Sequence, residues 1–261
     1  MELGRDAGGA PEAAARVPGR AAAPIAVPVL PWPPARPSWW SRHVVAVVEG
    51  LTRTRLVQAA QAVSERVGDK VDDVYALYER SNSVVAAGLG AADAEALKHD
   101  LALAGAQALV FDTSAVLPCP PARLVDELTW DDAGLKLRTA LGVHAVPWRE
   151  LQLGLAALLV DGPAGLEREA DAGLALIDLV DRRWERFRVV LEPGTGGRGR
   201  DPHLSPPRLA GAVLDRRTDV PRNEAFTALS IGQRPRTPRF SDPLEHEAWT
   251  ALWLARSHRA A

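Results

Sequence analysis

The stretch SVVAAGLGAADAEALKHDLALAGAQALVF, Ser83 to Phe111, changes its hydrophobic period twice, and that change decides the fold class. Its opening, SVVAAGLG, is a short run of small and β-branched residues closed by glycine, which predicts a buried strand. Within AADAEALKHDLALAG the period becomes helical. Ala94, Leu97, Leu101 and Ala104 recur on one face, and Gly105 stands where a C-terminal cap belongs. AQALVF then returns to strand.

Working upstream, HVVAVVEG (His43 to Gly50) predicts a further buried strand. TRTRLVQAAQAVSERVG predicts a helix with Leu56, Ala59, Ala60 and Val63 inward, Thr52 as N-cap and Gly68 as stop. VDDVYALYERS predicts a second, shorter helix, with Asp72 and Asp73 in the first turn where the helix dipole favours them. Together these give a βααβαβ unit over residues 42–116, a layered sheet with its helices on one face.

This order of elements, and above all GLGAADAEALKHDLALAGAQALVF, resembles the C-terminal domain of the stalk protein of the large ribosomal subunit. The resemblance covers roughly residues 42–112, under a third of the chain, and implies the fold alone. That family offers translation factors a basic face on its paired helices. Here the same helices carry Glu65, Asp69, Asp72, Asp73 and Glu79, so factor binding is not implied.

Outside that unit, residues 1–41 are built of Ala, Gly, Pro and Arg. With PVLPWPPARP in polyproline-II style, they predict a disordered tail. PCPPARL marks a linker over 117–129, and residues 130–261 form a second mixed α and β region, so the fold class expected for the whole is α+β. GLKLRT and VHAVPW flank a short turn, with Leu135, Leu137 and Thr139 alternating as in a half-buried hairpin ending at Trp148. RELQLGLAALLV fits a helix or a strand equally. LALIDLVDRRWERFRVVLE reads as strands, or as a helix and a strand. A helix is expected from Arg208, and another near Glu245 to Ala255 with Trp249 and Trp253 four residues apart.

Composition narrows the chemistry. The single cysteine, Cys119, excludes an internal disulfide framework, and no apolar run approaches the roughly 20 residues that span a bilayer. Met1 to Arg20 holds Glu2, Asp6 and Glu12 and no apolar core of a secretory leader, so a cytoplasmic setting is expected, without membrane association. Three lysines against 28 arginines, with abundant alanine, are the usage a GC-rich genome would give, so a bacterial source is expected.

No catalytic motif is legible. The loop GTGGRGR (Gly194 to Arg200) lacks the Lys-Ser/Thr and the following helix of a phosphate-binding loop. The six histidines show no metal-ligand spacing, and Glu245, His246 and Glu247 are expected as a solvated helix face. Cys119 sits between prolines with no basic neighbour, while Asp201, His203 and Ser205 lie too close in sequence for a rigid triad. Neither a cofactor nor a metal is expected.

Charge is uneven along the chain. Residues 182–240 hold thirteen arginines against six acids, and residues 117–181 hold five basic groups against eleven acids. Within the basic segment, Arg216, Arg217, Arg222, Asn223 and Glu224 beside Pro221 form the candidate anion or partner contact. The competing expectation, which is favoured, is that these arginines pair internally with the acidic middle segment. The function expected is a non-enzymatic protein-interaction or adaptor module. The alternatives are anion or nucleic-acid binding through the arginine segment, or an enzyme whose site spacing does not reveal.

Overall fold

The structure is a computed structural model, which describes residues 37, 39–49, 53–68, 84–116, 120–160, 173–191, 206–233 and 238–260. The expected second helix (71–81), the glycine-rich loop, Cys119, the Asp201/His203/Ser205 group and residues 1–36 lie outside these. The fold is α+β.

Strands β1 (His43–Glu49), β2 (Val84–Leu89) and β3 (Gln107–Asp112) form an antiparallel sheet in the order β2-β1-β3. Helices α1 (Arg53–Val67) and α2 (Ala91–Leu103) cover one face. Strand periodicity explains the layering: Val45 and Val47 point into a core with Ala59, Ala60, Val63, Ala94, Leu97 and Leu101, while Val44 and Ala46 point the other way. The α2 terminus is a Schellman motif. Gly105 adopts φ +80°, its N–H donates to Ala102 O at 2.9 Å, and Ala106 N–H donates to Leu101 O at 2.8 Å.

The rest of the chain builds a seven-stranded mixed sheet from β4 (Arg123–Trp130), β5 (Gly134–Thr139), β6 (Gly142–Pro147), β7 (Leu151–Val160), β8 (Gly173–Asp181), β9 (Arg186–Leu191) and β10 (Arg239–Phe240). Their order is β10-β7-β8-β9-β4-β5-β6. The pairs β10·β7 and β9·β4 are parallel and the others antiparallel. The expected hairpin is present, with Leu135 and Leu137 fully buried, although its second strand ends at Pro147 and Trp148 begins a 3-10 turn. The expected linker is corrected. Much of the stretch expected as linker is β4, in which Val125 and Leu128 face the core.

Helices α3 (Pro206–Arg216) and α4 (Glu224–Ser230) pack on one face of this sheet, and α5 (Pro243–Ala260) packs on the other. That arrangement settles LQLGLAALLV as a strand. Ala156 and Leu158 face α3 and α4, while Leu153, Leu155 and Ala157 face α5, so both faces of β7 are apolar and no alternation survives in the sequence.

The side of α5 away from the large sheet meets the open face of the small one. Val44, Ala46, Val84 and Phe111 share a core with Trp249, Leu252, Trp253 and Leu254, and the Phe111 and Trp253 rings lie 6.0 Å apart. The layers therefore run helices, small sheet, α5, large sheet, helices. Trp39 and Trp40, expected within a disordered tail, pack against this shared core, and Trp39 Nε1 donates to Glu245 Oε1 at 2.7 Å. No helix among the described residues is long and apolar enough to cross a membrane.

Candidate functional site

The five residues singled out by sequence cluster where the chain passes from α3 to α4, and they are engaged within the protein. Arg217 pairs with Asp219 at 2.7 Å and donates to Trp148 O at 2.9 Å. Arg216 reaches Asp132 at 3.4 Å and stands over the Trp148 ring, 5.1 Å from its centroid. Arg222 donates to Thr227 Oγ1 and to the carbonyls of Thr218 and Val220. Glu224 is exposed in the first turn of α4.

Asn223 is the buried member, and its geometry explains the turn. Its Oδ1 accepts from Ala156 N–H at 3.0 Å and, as the N-cap of α4, from Phe226 N–H at 3.2 Å, while its Nδ2 donates to Ala156 O at 2.7 Å. One amide thus occupies both backbone groups of β7 that a neighbouring strand would otherwise take. Gly154 N–H adds a bond to Pro221 O at 3.0 Å, and Gly154 has no Cβ because Phe226 would lie 2.9 Å from it. The segment is thereby fixed as a structural turn.

A second polar cluster was missed at the sequence level. Arg186 and Arg188 on β9, two residues apart and so on one face, and Asp178, opposite Arg188 on β8, all point toward α5. Arg188 Nε and Nη2 donate to the two Asp178 oxygens at 2.7 and 2.8 Å, and Arg186 Nη2 adds a bond at 2.9 Å. Glu247 of α5 accepts from Arg186 Nη1 at 2.5 Å and from Arg188 Nη1. The two positive and two negative charges cancel, and both arginine side chains are essentially inaccessible.

His246 lies beside this group, its Nε2 3.8 Å from Asp178 and its ring stacked on Trp249. Burial, opposed by Glu247 and reinforced by Arg186, pushes its pKa down to about 3, so it is neutral. The Glu245-His246-Glu247 run is therefore not a solvated face. His246 is 2 % exposed, and Glu247 is spent on the arginines. Charged residues alternating with Phe187 and Val189 inside a strand were the available signal.

A cavity of about 260 Å³ lies between β3 and α5. Val110, Phe111, Val116, Leu252 and Ala255 supply apolar walls. Asp112 lies on its rim with Oδ1 committed to the Ser114 N–H and hydroxyl at 2.9 and 2.6 Å. Arg256, also on the rim, is exposed and has no partner among the described residues. None of these residues is distinguished by sequence, because the walls come from elements some 140 positions apart. Among the described residues no group of three or more His, Cys, Asp or Glu is placed to hold a metal ion. No family model, no curated protein and no solved structure matches this chain.

Proposed function

We propose that the chain is a protein-interaction module that takes a short segment of a partner into the cleft between β3 and α5. The observation that carries this reading is the cleft itself: an apolar trough with the guanidinium of Arg256, which has no partner among the described residues, at its rim. Such a trough suits an apolar side chain followed by a carboxylate, which Arg256 would accept in bidentate fashion. β3 is also an edge strand of its sheet, so an extended segment has a backbone ladder to join. The alternative reading, anion or nucleic-acid binding through the arginine segment, is less well supported, because Arg216, Arg217 and Arg222 are already paired internally.

The test is affinity capture from a native lysate at about 50 and 300 mM salt, comparing wild type with Val116→Asp and Arg256→Glu. The reading predicts a defined protein held by wild type at both salt concentrations and lost from both variants. A protein captured equally by all three chains would refute the cleft as its site. Nucleic acid recovered only at low salt would favour the arginine segment instead.

A further inference from the structure

The free edge of the large sheet carries a second surface, on a different sheet edge from the cleft. Strand β6 ends the order β10-β7-β8-β9-β4-β5-β6 and, among the described residues, pairs with β5 alone. The β5–β6 register is unbroken, from Thr139↔Gly142 through Leu137↔His144 to Gly134↔Pro147, closed by the two-residue turn Ala140 and Leu141. With that closure, Thr139/Gly142, Leu137/His144 and Leu135/Val146 exchange backbone bonds while the intervening pairs do not. Trp148 N–H, donating to Ala133 O at 3.2 Å, continues the alternation, and Pro147, which has no N–H, falls on a non-bonding position. The N–H and C=O of Val143 and of Ala145 therefore point outward, and no strand among the described residues takes them.

Exposed edges are ordinarily blunted by a charge or a bulge on the outermost strand. β6 has no bulge and no lysine, arginine or acid. Its solvent side is Val143, 65 % exposed, and Ala145, continued at the hairpin tip by Leu141, 75 % exposed. The charges stand one strand inward, on β5, and are compensated there: Lys136 pairs with Asp131 at 2.8 Å and Arg138 with Glu127 at 3.0 Å.

We propose that this edge pairs with the same edge of a second copy, antiparallel about a two-fold axis at His144. That register sets Val143 against Ala145 of the other copy and Leu141 against Pro147. The two outward N–H groups and two outward C=O groups of each copy are then satisfied reciprocally by four backbone bonds. Proline, lacking a donor, falls opposite the hairpin tip, outside the bonded pairs. Three features favour a second copy over a foreign strand. The hydrogen-bonding pattern is self-complementary, the side chains that meet are apolar, and the two β5 strands stand three strand spacings apart, about 14 Å, beyond the screening length of about 8 Å at physiological salt. So short an edge buries less than the about 800 Å² per partner of a standard interface, so the dimer is weak and concentration-dependent.

Sedimentation velocity across a hundredfold range of protein concentration tests it. Wild type is expected to shift from the 28.0 kDa monomer toward twice that mass. Ala145→Pro, which removes an outward N–H that β5 does not use, and Val143→Lys, which restores a charge to the edge, are expected to stay monomeric at every concentration. Circular dichroism should show both variants folded. A wild type that remains monomeric throughout, or a dimer that persists in both folded variants, overturns the proposal.

Discussion

Replacing Asp178 by asparagine leaves the size of the side chain unchanged but removes one of the two negative charges that neutralise Arg186 and Arg188. The carboxylate is 1 % exposed and accepts three guanidinium bonds of 2.7 to 2.9 Å. Its loss leaves two buried guanidinium groups facing Glu247 alone, a net positive charge in the core beneath α5. Breaking a buried pair in this way costs about 3–5 kcal/mol. At about 2–4 °C per kcal/mol for a protein of this size, the midpoint of thermal unfolding should fall by about 6–20 °C. Urea unfolding followed by tryptophan fluorescence reports the same loss, because Trp249 and Trp253 pack in the core that the network borders. Replacing all four charged residues with apolar ones of similar volume should be near neutral, since the cost belongs to the unpaired charge rather than to the pair. An Asp178→Asn chain within about 1 kcal/mol of wild type would refute the view that the cluster clamps α5 to the large sheet.

Asn223→Ala should destabilise by about 2–4 kcal/mol, because it leaves the N–H and C=O of Ala156 unsatisfied and uncaps α4; urea midpoints measure it, and a loss under about 1 kcal/mol would remove Asn223 as the anchor of that turn. Gly154→Ala drives a methyl group into Phe226, which is fully buried, and should cost about 1–3 kcal/mol in the same assay. His246, lowered to about 3, contributes stability that is full above about pH 6.5 and lost as pH falls toward 3. Stability of wild type should therefore fall more steeply than that of His246→Phe, by up to about 1.4 kcal/mol per pH unit, as pH drops from 6 to 4, and equal slopes in urea unfolding of the two chains would contradict a buried neutral imidazole.

Much of the secondary structure was legible because its causes are local. The i, i+3, i+4 stripe of α2, the glycine stop at Gly105 and the strict alternation of Leu135, Leu137 and Thr139 each follow from a few consecutive residues. Pairing between the arginine segment and the acidic middle segment was expected, and Arg216 with Asp132 and Arg186 and Arg188 with Asp178 are such pairs, whereas Arg217 pairs inside its own segment with Asp219 and with the Trp148 carbonyl. Other elements were left open or misread for reasons that lie outside their own residues. β7 lost its alternation because helices cover both of its sides, and β4 was obscured by the proline-rich approach to it. Both candidate sites were out of reach for a related reason: the walls of the cleft and the partners of Arg186 come from elements far apart in the chain.

Taken alone, then, the sequence determined the α+β class, the helix stops, the hairpin and the segmental charge balance, all of which arise from propensity, period and composition within short windows. Tertiary structure alone decided that α5 lies between two sheets, that Asp178, Arg186, Arg188 and Glu247 meet beneath it, and that β3 and α5 enclose a trough. The physical reason is that burial is a property of pairs of surfaces. A residue's own neighbours in the chain set its local conformation, but which distant face covers it is set by the whole packed arrangement.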